Sequence, residues 1–310
     1  MGAAAVTNPT AKRSRRKASL RLTAAGLRLA LAAVLVVAAV SSAKADEAAV
    51  ARGAYLAAAA GCDQCHTEKK EGARPYAGGR ALATEFGVVT TPNITPDRAG
   101  GIGGWSDADF VRAMRWGIAP DGSHYVSAFP FPYYARLTDR DLADLKAYLD
   151  SLAPESQTVV DAASSLALLE RARAAVAQAL TSLGIGASVG PAASDPAVAR
   201  GAYLAQTVGR CGGCHTPRTW LGVPDGSREL AGSASAKAPN LTPGDKTGIG
   251  GWSEADILTL LKDGQTPDND FVGGAMAEIV RNTARLTDED RRALAAYLKS
   301  LPAKVFDKKS

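Results

Sequence analysis

The four cysteines of this chain fall in two copies of one pattern, Cys62-Asp63-Gln64-Cys65-His66 and Cys211-Gly212-Gly213-Cys214-His215. On one helical turn this spacing presents two thiols to the two vinyl groups of a haem, and the next residue, a histidine, sits under the iron as its proximal ligand. A thioredoxin-like dithiol would want a preceding strand in a βαβ setting, which the sequence does not offer. A structural zinc site would need four ligands, and two thiols with one histidine leave each copy one short. The pattern predicts two covalently attached haem c groups, held through Cys62, Cys65, Cys211 and Cys214, with His66 and His215 on the metal.

An inventory bounds the other axial position. Beyond residue 45, the remaining strong donors are His124, Met114 and Met276. Aligning Trp105 with Trp252 matches Pro120 to Phe129 with Pro267 to Met276 without a gap, so Ala275-Met276 stands where the other copy has Ala128-Phe129. Met276, 61 residues after His215 on what reads as a loop before the last helix, is the expected thioether ligand of the second haem. Phenylalanine cannot bind iron. For the first haem the expectation is therefore His124, five residues upstream on the same loop, with a vacant site as its rival and Met114 read as helix packing.

The elements that position these residues are themselves repeated. Arg52 to Ala57 returns as Arg200 to Ala205, Gly101 to Ser106 as Gly248 to Ser253, and Arg136-Leu137-Thr138-Asp139 as Arg285-Leu286-Thr287-Asp288. The offsets of 148, 147 and 149 residues are too long for a solenoid unit and match a duplicated domain. Ser106 with Asp109, Ser253 with Asp256, Thr138 with Asp141 and Thr287 with Asp290 have the form of N-terminal capping boxes. Each copy reads as helix, loop, helix, loop, helix, and with no sustained period-two alternation the expected fold is all-α. Asn93 and Asn240, in Pro92 to Pro96 and Pro239 to Pro243, are expected along the haem edge. So are Trp105 and Trp252, whose indoles would cover the macrocycle. Tyr148 and Tyr297 are expected to pack the last helix on the first.

Residues 1–45 hold 8 of the 36 basic residues, none of the 31 acidic ones, and an apolar run of 12 from Leu29 to Val40 before Ala43-Lys44-Ala45. These are the parts of a secretory signal peptide with cleavage after Ala45, and the run is shorter than the roughly 20 residues a membrane span requires. Residues 46–310 carry 28 basic against 31 acidic residues, so the formal charge of +5 belongs to the leader and gives no support to a nucleic-acid partner. The expected domains are 46–154 and 195–310, joined by a linker over 155–194. Leu166, Leu169, Val176, Leu180 and Leu183 lie in that linker on one possible helix face.

On these motifs the chain resembles the di-haem, tandem-domain cytochrome c proteins, and is similar to the cytochrome c subunits of periplasmic dehydrogenases of the alcohol dehydrogenase and molybdenum hydroxylase types. The resemblance implies two tandem cytochrome c-type helical domains. It also implies a methionine ligand in the loop before the last helix, which falls on Met276, while Phe129 departs from that pattern. The implied role is periplasmic electron transfer, from a dehydrogenase to a monohaem cytochrome or terminal oxidase, without a stable membrane anchor after cleavage. Methionine ligation raises a haem potential, so electrons are expected to enter at the first haem and leave from the second. The competing readings are an enzyme acting on peroxide or a sulfur oxyanion at an open first haem, and a haem-based sensor.

Overall fold

The computed structural model describes residues 46–84, 87–125, 128–157, 159, 176, 179–180, 194–219, 223–244 and 247–305. The expected leader and nearly all of the expected linker helix lie outside them. Residues 46–310 form one unit.

In the first repeat an Ala-rich helix over 46–60 (α1) leads into the motif helix Cys62–His66 (α2). Helices Asp107–Trp116 (α3), Phe131–Tyr134 (α4) and Asp139–Ser151 (α5) follow. The second repeat runs Pro196–Tyr203 (α6), Gly212–His215 (α7), Glu254–Asp263 (α8), Gly274–Thr283 (α9) and Asp288–Ser300 (α10). Asp195 caps α6 and Pro196 takes the first-turn position, where its missing N–H costs nothing. The mainly helical expectation holds, with two additions. Ala81–Thr84 (β1) and Gly87–Thr90 (β2) pair antiparallel, an element too short for its alternation to stand out. A short helix, α4 or α9, also stands before the last helix of each repeat.

The first and last helices of each repeat cross at a glycine. A Cβ on Gly53 would lie 1.9 Å from the carbonyl oxygen of Asp144, and one on Gly201 1.8 Å from that of Ala293. Tyr148 and Tyr297 pack at these crossings, as expected. Each repeat's core is closed by its last helix, through Leu142, Leu145 and Leu149 in one and Leu294, Tyr297 and Leu298 in the other.

Four capping boxes were expected and two are complete. Ser106 and Ser253 each exchange hydrogen bonds with Asp109 and Asp256. At α5 and α10 the threonine accepts from the aspartate N–H, but the reciprocal bond is taken over by the other repeat. Tyr55 Oη donates to Asp290 (2.6 Å) and accepts from Thr287 N–H (3.1 Å). Tyr203 Oη donates to Asp141 and accepts from Thr138 N–H (3.3 Å). Each repeat's first helix thus caps the other's last helix, which makes the contact between repeats two-fold in pattern. Among the described residues no helix is long and apolar enough to cross a membrane.

Candidate functional site

Both attachment motifs are folded as a single helical turn, with the cysteines three apart and the histidine next. His66 Nδ1 lies 2.8 Å from the carbonyl oxygen of Pro92, and His215 Nδ1 2.7 Å from that of Pro239. A carbonyl can only accept, so Nδ1 carries the proton and Nε2 presents its lone pair for a metal. Burial pushes both imidazoles toward the neutral form, against a smaller opposite pull from the carbonyl bond. Burial also raises the Cys62 thiol to about 12 and the Cys211 thiol to about 11. None of the four cysteines is paired in a disulfide. Two thiols and one oriented imidazole per turn are the donor set a covalently bound haem needs, so these residues fit the group.

The orientation of each histidine is built by the loop that carries the proline. Asn93 Oδ1 accepts from Thr95 N (2.9 Å) and Thr95 Oγ1 (2.8 Å), while its Nδ2 donates to the carbonyls of Glu155 (2.6 Å) and Gln157 (3.2 Å). Asn240 Oδ1 accepts from the N and Oγ1 of Thr242, both at 2.8 Å, and its Nδ2 donates to the Lys304 carbonyl (2.7 Å). Both asparagines are buried with their amides spent on the loop. Their side-chain bonds brace the loops whose Pro92 and Pro239 carbonyls orient the histidines. The same bonds draw 155–157, expected in the linker, into the first domain.

Sequence reasoning missed the threonine after each histidine. Thr67 Oγ1 accepts from Tyr76 N (3.1 Å) and Thr216 Oγ1 from Leu230 N (3.0 Å). Tyr76 and Leu230 are non-glycine residues with positive φ (62° and 57°), a conformation side chains resist unless the surroundings hold it. Their carbonyls in turn accept from Ile94 N and Leu241 N. The signal was present as Cys-His-Thr in both copies.

In a second loop the repeats share a backbone turn and differ in side chains. Residues 117–125 and 264–272 form the same turn: Ala119 N donates to Ser123 O and Tyr125 N to Gly117 O, as Thr266 N does to Asp270 O and Val272 N to Gly264 O. His124 pairs across this turn with Ile118, and Phe271 with Gln265. Both His124 and Phe271 are exposed. The structure thus places His124 on the exposed side of its turn, where Phe271 stands in the other repeat. Phe129 packs edge-on against Tyr125 and, tilted, against Tyr134. Met276 is part-buried and lies in the first turn of α9, where a loop was expected, because Ala-Met-Ala-Glu-Ile-Val forms helix once past Gly273. Met114 is a buried core residue of α3, as read from sequence, and lines a small cavity with Cys62 and Tyr134. Trp105 and Trp252 are part-buried and pack against the core.

Residues 50–153 and 198–302 each match the family model described as cytochrome c. The chain is 42% identical over 259 residues to a protein named diheme cytochrome c-type from Cereibacter sphaeroides, covering 81% of this chain and 86% of that protein. It is 39% identical over 278 residues to the cytochrome c subunit of a quinone alcohol dehydrogenase from Gluconobacter oxydans, covering 84% of this chain. It is 37% identical over 279 residues to the cytochrome c subunit of a gluconate 2-dehydrogenase from Pantoea cypripedii, covering 86% of this chain. The match spans 56% and 63% of those two subunits, less than two thirds of either.

Proposed function

This chain belongs to the cytochrome c family, with two such domains and two covalently bound haem c groups, and we propose that it carries electrons from a periplasmic dehydrogenase to a monohaem cytochrome or terminal oxidase. The observation that carries the reading is the pair of matched imidazole-to-proline hydrogen bonds, one behind each Cys-x-x-Cys-His turn. When bound, each haem supplies a one-electron iron(III)/iron(II) couple. Cys62 and Cys65, and Cys211 and Cys214, hold the two groups through thioethers. His66 and His215 offer Nε2, kept neutral by burial and fixed in direction by Pro92 and Pro239. Met276 would supply a thioether ligand to the second haem and so give that site the higher potential, in which case electrons would enter at the first site and leave from the second. Trp105 and Trp252 pack along the edges. The dehydrogenase partner is supported by the names of the relatives, and export by the leader over residues 1–45.

A specific observation favours a second reading at the first site. Phe129 stands in the sequence where the other repeat has Met276, and His124 lies on the exposed side of the 117–125 turn. An iron left open there would accept a small ligand such as peroxide or a sulfur oxyanion.

Low-temperature electron paramagnetic resonance of the fully oxidised holoprotein separates the readings. Two low-spin signals, one lost in His124→Ala, are the expected result for a carrier ligated by His124. One low-spin and one high-spin signal, unchanged in H124A, would overturn that ligation in favour of the open site.

A further inference from the structure

The two motifs differ in what precedes the first cysteine. From Arg52 to Cys62 is 10 residues, whereas from Arg200 to Cys211 is 11. The additional residue is absorbed by a π-helical turn over Leu204–Val208, the kind of bulge that a single insertion into a helix produces. As a result Arg210 takes the left-handed position (φ 54°) that Gly61 holds in the first repeat (φ 68°).

From there its side chain crosses to the other repeat. Arg210 Nη2 donates to the carbonyl of Ala60 (2.8 Å), at the end of the helix that leads into the first motif. The guanidinium lies over the Tyr134 ring, 5.6 Å from its centroid. Its Nε is buried and finds no partner, and among the described residues it pairs with no carboxylate. Its electrostatic neighbours include Cys62 and Cys65 of the first motif and Cys214 of the second. A permanent positive charge with no carboxylate partner among the described residues thus lies beside both haem attachment turns, since Arg210 directly precedes Cys211 and bonds Ala60, two residues before Cys62.

We propose that Arg210 is a positioning residue shared by the two sites: its charge favours the reduced state at both irons and raises their potentials together. Reduction adds one electron to each iron and removes one positive charge from each site. A nearby cation therefore stabilises the reduced form, most strongly where water is excluded. This rests on the reading of the chain as a two-haem electron carrier.

The test is a spectroelectrochemical titration of the holoprotein, with haem content and electrons per chain measured alongside. Arg210→Gln is expected to lower the reduction equilibrium of both haems about tenfold, which is about 59 mV for one electron. Arg210→Lys, which keeps the charge, is expected to hold both within about threefold. Arg210→Met, which keeps an unbranched stem over Tyr134, replaces R210Q if the amide prevents haem loading. The proposal is overturned if a neutral variant carrying both haems moves one midpoint or neither, or if R210K lowers both as far as R210Q. Failure of the underlying reading looks different, since the wild-type protein would then not take up two electrons per chain.

Discussion

The two repeats agree around the histidine of each motif and part around the turn that follows the serine-capped helix. Behind each histidine the same bonds recur: imidazole to proline carbonyl, threonine to a positive-φ residue, asparagine to its loop and to the strand of chain beyond the last helix. In a second place an equivalent backbone turn carries His124 in one repeat and Phe271 in the other, and beyond it the chain runs to Phe129 before α4 but to Met276 inside α9. The attachment side must hold one covalent geometry and tolerates little variation. Beyond the turn the side chain at Phe129 or Met276 differs, and in the proposed reading that residue is the main lever on potential. Duplication thus gives a molecule two couples that need not be equal.

The largest effect should come from exchanging that side chain. Met276→Phe is expected to lower the midpoint of the second haem by about 200 mV or more, a fraction of the roughly 0.8 V that axial ligands span. Phe129→Met is expected to raise the first haem's midpoint and bring the two couples together. Spectroelectrochemical titration reads both. An unmoved second midpoint in M276F would remove Met276 as ligand and with it the proposed order of potentials.

The next effect probes the side that is the same. Because the helices meet backbone to backbone at Gly53 and Gly201, a methyl group there must push them apart. Gly53→Ala and Gly201→Ala should each cost about 3 kcal/mol in urea unfolding of the holoprotein. Costs differing by more than about 1 kcal/mol would mean that one repeat depends on its crossing less than the other.

What could be read from the sequence divides along the same line. The motifs, the repeat and the capping threonines and serines are local patterns, and the structure has the helices they foretold. The bracing bonds of Asn93 and Asn240 could not be read, because an amide's partners, here carbonyls some 60 residues away, leave no trace in local spacing. Arg210 drew no notice because nothing near it in sequence says that it crosses to Ala60. His124 was inferred from a donor inventory, which knows composition and not direction. The contact between the repeats was invisible for the same reason: Tyr55 and Tyr203 read as helix residues until Asp290 and Asp141 are seen opposite them.

That contact yields the smallest and most discriminating effects. Tyr55 and Tyr203 hold equivalent positions, yet Asp290 is also gripped by Arg200 at 2.7 and 2.8 Å, whereas Asp141 has no such arginine among the described residues. In Tyr203→Phe the Asp141 carboxylate is free to swing back to Thr138 N–H and complete its own capping box. In Tyr55→Phe the arginine holds Asp290 in place and Thr287 N–H stays orphaned. Y55F should therefore cost about 2 kcal/mol and Y203F about 1. Acid unfolding sharpens the point. Burial pushes Asp290 up, but hydrogen bonds from Arg200 and Tyr55 outweigh it and hold the carboxyl below its ordinary value. Its contribution is then fully present above about pH 4 and lost as pH falls through the lowered folded-state value. Y55F removes one of those bonds and moves the folded-state value back toward the ordinary one. Its stability should accordingly fall less steeply below about pH 4 than that of the wild type. Equal slopes would mean that Arg200 alone sets the Asp290 carboxyl, leaving Tyr55 as a cap for Thr287 and nothing more.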